Sequence, residues 1–289
     1  MNKNAIVTLV IGRRYAEMFK EWCLPGWQGY CSRHGLDLII IEQAIDDSLR
    51  AKNRSIAWQK CLIHKLPEVA KYKQIAWVDS DVRIRPNSPN IFAEVPIEKI
   101  GAVDGYATPT KEDHDMALKR MYRLWDKEGV PYVNNLTPKE YHAQFGLDAP
   151  YDGVVQTGVI VFSPQQHGVI FQNTYDCYED KGESFWNFEM RPLSYEILKS
   201  GAFHWLSPKF NMIWPLYERI FYPFNKIAPS RWQRVTARIC GDPKVMMKGE
   251  YLECAFLNNY FLHFAGEDRS YMLIPPDMLL DFPETEEAG

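Results

Sequence analysis

Apolar residues along this chain fall into short dense blocks, separated by stretches in which they recur every three or four positions. The blocks Ala5–Val10, Leu36–Ile41, Ile75–Val78 and Ile100–Val103 read as strands covered on both faces. Val154–Phe162 is a longer β-rich block, broken by Gly158. Tyr15–His34 has helical spacing but contains Pro25-Gly26, which should kink or split it. Gly35 then stops the helix before the second strand. Residues 42–53 are polar and loop-like, and Ser55 can cap a helix running to about Lys65. This β-α-β-α-β order predicts a parallel sheet with right-handed crossovers.

Beyond Pro86 and Pro89 the pattern loosens. Residues 107–150 read as an insertion, with Met116, Leu118, Met121, Leu124 and Trp125 near helical spacing and Thr137-Pro138 able to start a short helix. Helices are expected over 166–183 and 189–199, and extended chain at Trp205-Leu206 and Phe256–Phe264. Residues 215–250 form a second irregular insertion, and an acidic tail follows Pro275.

Composition narrows the classes. With 289 residues and 46% apolar content, the chain can bury one large core, expected over residues 1–274, with a tail at 275–289. The net charge of −4 comes without a basic block, which argues against nucleic acid as a partner. The six cysteines have no C-x-x-C spacing and read as reduced, mostly buried thiols. Ala5–Ile11 is too short for a signal-peptide core, and no run approaches the ~20 apolar residues of a membrane helix. A cytoplasmic location is the expectation, with peripheral membrane contact left open.

The chemistry concentrates at Ile75-Ala76-Trp77-Val78-Asp79-Ser80-Asp81. A strand puts alternate side chains on one face, so Asp79 and Asp81 can point the same way. Like charges that close repel unless a cation sits between them, and a divalent ion bound to a phosphate serves well. Ligands of open α/β sheets bind beyond the carboxyl ends of the strands, where this pair falls. A lone D-x-D is about as often two solvated acids in a turn.

Together with a distant Gly158-Val159-Ile160-Val161-Phe162 strand and a late His263-Phe264-Ala265-Gly266, the pair resembles the GT-A glycosyltransferases, nearest to the family 8 type that includes glycogenin and bacterial α-galactosyltransferases. The resemblance spans about residues 5–105, 151–211 and 256–266. It implies a Rossmann-like α/β fold with a central, mostly parallel mixed sheet flanked by helices. It also implies transfer of a hexose from a nucleotide-diphosphate sugar, with a UDP-sugar favoured, to a glycan or other hydroxyl acceptor. Asp79, Asp81 and His263 would hold Mn²⁺, with Mg²⁺ the alternative. Thr8 and Tyr15 would line the uridine pocket, Lys60 would reach the donor, and Asp104, Gln156 and Gly266 would lie at the donor site. Glu189 aligns with an acid near the anomeric carbon. Arg54 is a weaker candidate for the donor cation.

There are departures. Gln156 stands for the usual Asn, Met190 for the usual Gln after the acid, and Glu267-Asp268-Arg269-Ser270 replaces the family's Lys-Pro-Trp. Arg269 could substitute for that lysine near the phosphates. The stretch from Glu189 to Leu206-Ser207-Pro208 also resembles family 6 retaining transferases. Retention is the expected outcome, with Glu189 and Gln156 as catalytic candidates; in an inverting enzyme Glu189 would be the general base. Two rivals stand beside this: a sugar-nucleotide-binding protein without activity, and a haloacid-dehalogenase-type phosphatase, in which Arg83 occupies a position that wants Thr or Val.

Overall fold

The computed structural model describes residues 3–128, 137–143, 145–180, 188–223 and 248–265. The chain runs β1 (Asn4–Leu9), α1 (Arg13–Met18), a π-helical turn (Phe19–Cys23), α2 (Leu24–His34) and β2 (Asp37–Ile41). It continues with α3 (Leu49–Lys52), a 3₁₀ helix (Ile56–Lys65), α4 (Pro67–Ala70), β3 (Gln74–Val78), β4 (Val82–Ile84) and β5 (Ile100–Asp104). Then come α5 (Lys111–Glu128), α6 (Pro138–Ala143), β6 (Val155–Phe162), α7 (Pro164–Cys177), α8 (Met190–Lys199) and β7 (Phe203–Trp205). The last described elements are β8 (Met212–Ile213), α9 (Trp214–Phe221), α10 (Lys248–Asn258) and β9 (Phe261–His263).

Six strands form the central sheet in the order β2-β1-β3-β6-β5-β7. β1 pairs parallel with β2 and β3, and β5 with β7; β6 runs antiparallel to both β3 and β5. The carboxyl ends of five strands and the amino end of β6 therefore share one edge. Alternate residues feed the two faces. Ile6, Ala76 and Val78 pack under α2, β9 and α10. Ala5, Val7, Ile75 and Trp77 pack under the 3₁₀ helix, α7 and α8. Each fully buried aliphatic or aromatic side chain contributes about 1.5–3 kcal/mol before entropy is charged against it. The fold is a three-layer α/β arrangement with a mixed sheet between helices.

The first helical segment is interrupted without leaving helical conformation: a π turn over Phe19–Cys23 separates α1 from α2, and Pro25 stands in the first turn of α2, where its missing N–H costs least. Gly26 is required for another reason: a Cβ would sit 2.4 Å from the carbonyl of Ile84, so helix and β4 backbone touch. Trp27 fastens the same contact by donating from Nε1 to the carbonyl of Val82 (2.8 Å).

Several expectations need correction. β6 is continuous through Gly158. Phe256–Phe264 is not one extended run: Phe256 lies in α10, where Tyr251, Leu252, Ala255 and Phe256 share a buried helical face, and only Phe261–His263 is strand. The helix after β6 starts at Pro164 and ends at Cys177, earlier than its sequence pattern suggests. Residues 42–53 contain the short α3, and Ser55 caps a 3₁₀ rather than an α-helix. Cys23, Cys31 and Cys61 are buried, but Cys177 and Cys254 are exposed; Cys240 lies outside the described residues. Within the described residues no helix is long and apolar enough to cross a membrane.

The helical segment after β5 is tied to the sheet by a buried polar chain. The Ser194 hydroxyl accepts from the Val155 N–H (2.9 Å) and lies 3.1 Å from His142 Nε2, while His142 Nδ1 lies 2.9 Å from the carbonyl of Pro138. The consistent arrangement is a neutral ring that donates from Nδ1 and accepts at Nε2. Burial pushes His142 down to about 4, against which the bond to Pro138 acts only partly. Its folded value lies below the unfolded one, so the unfolded chain binds the extra proton. Stability is complete above pH ~6.5 and falls between about 6.5 and 4, by up to about 3 kcal/mol for this ring. Denaturant unfolding across that range should show the loss, and His142→Gln should flatten the slope; an unchanged slope in the variant would contradict a neutral buried ring.

Candidate metal centre and donor site

The small second sheet builds the site. β4 follows directly on Asp79-Ser80-Asp81 and pairs antiparallel with β9, in the register Val82↔His263 and Ile84↔Phe261. The Phe264 N–H donates to the carbonyl of Asp81 (3.1 Å). Two strands from opposite ends of the sequence are thus zipped together, and the zip ends where the acids and the imidazole meet. β8 pairs parallel with β9, which sets Ile213 beside His263 and brings Asn211 in with it. Neither β4 nor β8 was expected from sequence.

Asp79, Asp81 and His263 each offer one ligand atom, and these lie within 4.8 Å of one another. His263 Nε2 is 3.3 Å from Asp81 Oδ1 and 3.9 Å from Asp79 Oδ2. The acids are partly open to solvent, and the imidazole is buried. Asp79 uses its other oxygen for anchoring: Oδ1 accepts from Trp77 Nε1 (2.7 Å) and from Lys60 Nζ (3.1 Å). Its own N–H donates to the carbonyl of Gly158 (2.8 Å). One oxygen is therefore fixed and the other faces the cluster.

Lys60 is no surface charge. Only 4% exposed, it bonds Asp79, the carbonyl of Thr157 (3.3 Å) and Glu189 Oε1 (2.8 Å). Burial opposes its charge, but Asp79 and Glu189 outweigh this and hold the ammonium above its ordinary value. Glu189 precedes α8, yet it is 1% exposed and its side chain does not cap the helix. Oε1 also accepts from the Thr157 hydroxyl (3.3 Å), while Oε2 is buried with no hydrogen-bond partner among the described residues. Three carboxylates thus face one ammonium and one imidazole. Burial raises Asp79 above the usual carboxylate value, although Lys60 and His263 pull the other way. His263 is also raised: burial lowers it, and Asp81 and Asp79 more than compensate. Each group is asking for more positive charge than the protein supplies, and two carboxylates plus an imidazole are a fitting donor set for a divalent ion.

The other sequence candidates fall in different places. Asp104 ends β5 on the same sheet edge; its Oδ1 accepts from the N–H groups of Tyr106 (2.9 Å) and Val154 (3.1 Å). Burial raises this carboxyl despite those bonds. Gln156 points its Oε1 at the Gly158 N–H (2.6 Å) and at Asn211 Nδ2 (3.1 Å). Thr8 is fully buried within β1, and its hydroxyl has no partner among the described residues; Tyr15 lies on α1 with about half its surface exposed. Arg54 is a buried clamp on the end of α7, bonding the carbonyls of Tyr175 (2.8 Å) and Tyr178 as well as Glu179. Gly266 and Arg269 lie outside the described residues.

Two further residues shape the site, and of these Asn211 had no assigned role in the sequence. Gly158 makes room for the histidine: a Cβ there would lie 2.3 Å from His263 Cε1. Asn211 Oδ1 is 3.0 Å from His263 Nδ1, and the residue is completely buried. An amide between the apolar residues Phe210 and Met212 was the available signal, since a buried amide needs a partner.

No family model and no curated protein matches this chain. Among solved structures it is similar to a glycosyltransferase involved in the glycosylation of the major capsid of PBCV-1, at 13% identity over 93% of this chain and 96% of that one, with a TM-score of 0.49. It is similar to the WbbM bifunctional glycosyltransferase at 12% identity, covering 96% of this chain but 50% of that one, with a TM-score of 0.48. Against galactosyltransferase LgtC in complex with donor and acceptor sugar analogs the identity is 12%, over 91% and 87% of the two chains, with a TM-score of 0.44. At these values any functional reading rests on this chain's own residues.

The Lys60–Glu189 pair gives a test of the site's internal electrostatics. Lys60→Met strands a buried carboxylate and should cost about 3–5 kcal/mol. Adding Glu189→Gln removes that charge and should restore much of the loss. Denaturant titration of the single and double variants measures both, and a single variant as stable as the parent would mean that the pair is not buried in solution.

Proposed function

We propose that the chain is a metal-dependent glycosyltransferase acting on a nucleotide-diphosphate sugar, with a UDP-hexose as the favoured donor and a glycan hydroxyl as acceptor. The observation that carries this is the convergence of Asp79, Asp81 and His263 on the carboxyl edge of an α/β sheet, where such folds bind ligands. The residues present fit a divalent cation: Asp79 Oδ2, Asp81 and His263 Nε2 would hold it. Mn²⁺ suits the imidazole better than a purely oxygen-liking ion does. When bound, the ion supplies charge neutralisation to the departing nucleoside diphosphate.

The chain's own residues do the rest. Lys60 keeps Asp79 oriented through Oδ1, leaving Oδ2 for the ion. Asp104 keeps Oδ2 for hydroxyls of the sugar, since the N–H groups of Tyr106 and Val154 both go to Oδ1. Glu189, buried behind Lys60, favours action through that ammonium over direct contact with the anomeric carbon. Retention of anomeric configuration is the stereochemistry we favour, on the family 8 resemblance. The stretches 107–150 and 215–250 are assigned to acceptor recognition, and a cytoplasmic location remains our reading.

Thermal-shift screening of nucleotide sugars with and without Mn²⁺ tests the donor class, because a ligand that binds only the folded state raises the melting temperature. UDP-sugars should stabilise the protein only with the ion present, and hydrolysis without acceptor should follow. Asp81→Asn and His263→Ala should each remove the Mn²⁺-dependent shift and at least about 99% of turnover, a loss of about 2.7 kcal/mol of transition-state stabilisation. Near-normal turnover in either variant would defeat the metal assignment, and binding without turnover in the parent would favour a sugar-nucleotide-binding protein.

A further inference from the structure

We infer that Gln156 and Asn211 are positioning residues for the metal centre, forming a one-way hydrogen-bond relay that begins at a backbone amide and ends at His263 Nε2. This rests on the metal reading of the same site and goes beyond it, because it reassigns Gln156 from reading the sugar to orienting a ligand.

The relay has only one polarity. Between the pairs Ala102↔Ile160 and Asp104↔Val155 the β5–β6 register shifts, so residues 156–159 are out of regular step with β5. The Gly158 N–H in this stretch takes Gln156 Oε1 as its acceptor (2.6 Å). A backbone N–H can only donate, so the Gln156 amide must present its oxygen. That oxygen also receives Asn211 Nδ2 (3.1 Å), so Asn211 must turn its nitrogen toward Gln156 and its oxygen toward His263. Asn211 Oδ1 then requires a proton on His263 Nδ1 (3.0 Å). With Nδ1 protonated, a neutral His263 carries its lone pair on Nε2, the atom that faces Asp81 and Asp79. A fixed donor in the main chain thereby selects the tautomer of a ligand through two intervening side chains, the role that outer partners of metal-bound histidines fill.

Side-chain length explains the residue at 156. Gln reaches from its own position to the amide two residues on and still meets Asn211. The missing Cβ at Gly158 leaves the ring its place beside the same stretch: an added Cβ would be 2.6 Å from Nδ1 and 3.1 Å from Gln156 Oε1. Asn211 is brought to the ring by the β8–β9 pairing of Ile213 with His263.

The test is Mn²⁺ titration by calorimetry on the full chain, as wild type, Asn211→Leu, Gln156→Met and the double variant, with ¹⁵N NMR of the His263 ring in the metal-free proteins at a pH where the ring carries one proton. Asn211→Leu should weaken Mn²⁺ binding about ten- to a hundredfold. Gln156→Met should weaken it less, and should add almost nothing once Asn211 is gone, because both act along one line. Wild type should show a protonated Nδ1 and a bare Nε2, and Asn211→Leu a mixture. If Asn211→Leu fails to fold, Gln156→Met reads the same relay from its other end, by lowered affinity and a mixed ring signal. Wild-type binding with unchanged affinity in both single variants overturns the relay, as do additive losses or a wild-type ring protonated at Nε2. No Mn²⁺ binding by wild type instead removes the metal reading, and the relay's role with it, while the ring signal still shows whether the hydrogen bonds exist.

Discussion

The pairing of β4 with β9 is the constraint on which the rest depends. Val82 sits opposite His263, and Asp81 takes the Phe264 N–H, so the distance from acid to imidazole is set by strand register rather than by flexible side chains. A slip of one residue would turn every side chain of β9 to the other face and carry the imidazole away from the acids. The register is locked on both sides. Trp27 and the close approach at Gly26 hold β4 to α2, and Arg85 reaches from beyond β4 to the carbonyl of Phe256 (2.7 Å) at the end of α10. On the far side, Tyr260 donates from its N–H to the carbonyl of Lys209 (2.9 Å), which keeps β8 and Asn211 in step. Precise ligand geometry here is a product of main-chain pairing, supported by an apolar cluster that includes Phe210, Phe261 and Leu262.

Charge gives the site its direction. A buried lysine flanked by two acids is stable because each partner offsets the desolvation of the others, so the group stands or falls together. The pair also partitions the atoms of Asp79. Trp77 and Lys60 occupy one oxygen, and the second is left toward Asp81 and His263. The inner oxygen of Asp79 is thus fully engaged, and the outer layer is short of positive charge. A pyrophosphate could not approach such an edge unaided, which is the physical reason for assigning a cation to it.

The parts legible in the sequence were those with a local cause. The five principal strands were visible because both faces of the sheet are covered and each strand is nearly all apolar. The irregularity ahead of Pro25 and the stop at Gly35 have direct backbone causes, and Gly35 does adopt a left-handed conformation (φ 60°). The acids and the histidine were legible as residue types at telling positions. What the sequence could not show was pairing at long range. β4 and β8 have three and two residues, too few to carry a periodic signal, and they exist because β9 lies between them. Lys60 and Glu189 were legible one by one as donor-site candidates, but nothing local reveals that they pair with each other in a buried position. Phe256 misled for a related reason: apolar residues before Asn258 cover a helix face and those after Asn259 fill a strand, and the two asparagines between them are the only local mark of the change.

Gly158 shows how one position can satisfy several of these demands at once. In sequence it reads as a break in an apolar strand. In the structure the strand continues, with a shift of register against β5 over this stretch, and the space belongs to the His263 ring. Its carbonyl takes the Asp79 N–H, and its own N–H goes to Gln156. One residue without a side chain therefore touches an acid, the imidazole and the outer amides through its three available features: carbonyl, amide and empty Cβ position. An alanine there would leave the two backbone bonds chemically intact and still displace the ring, because the clash is with the rigid imidazole held between Asn211 and the acids. Glycine at 158 is thus a requirement of the site's packing, independent of any backbone angle.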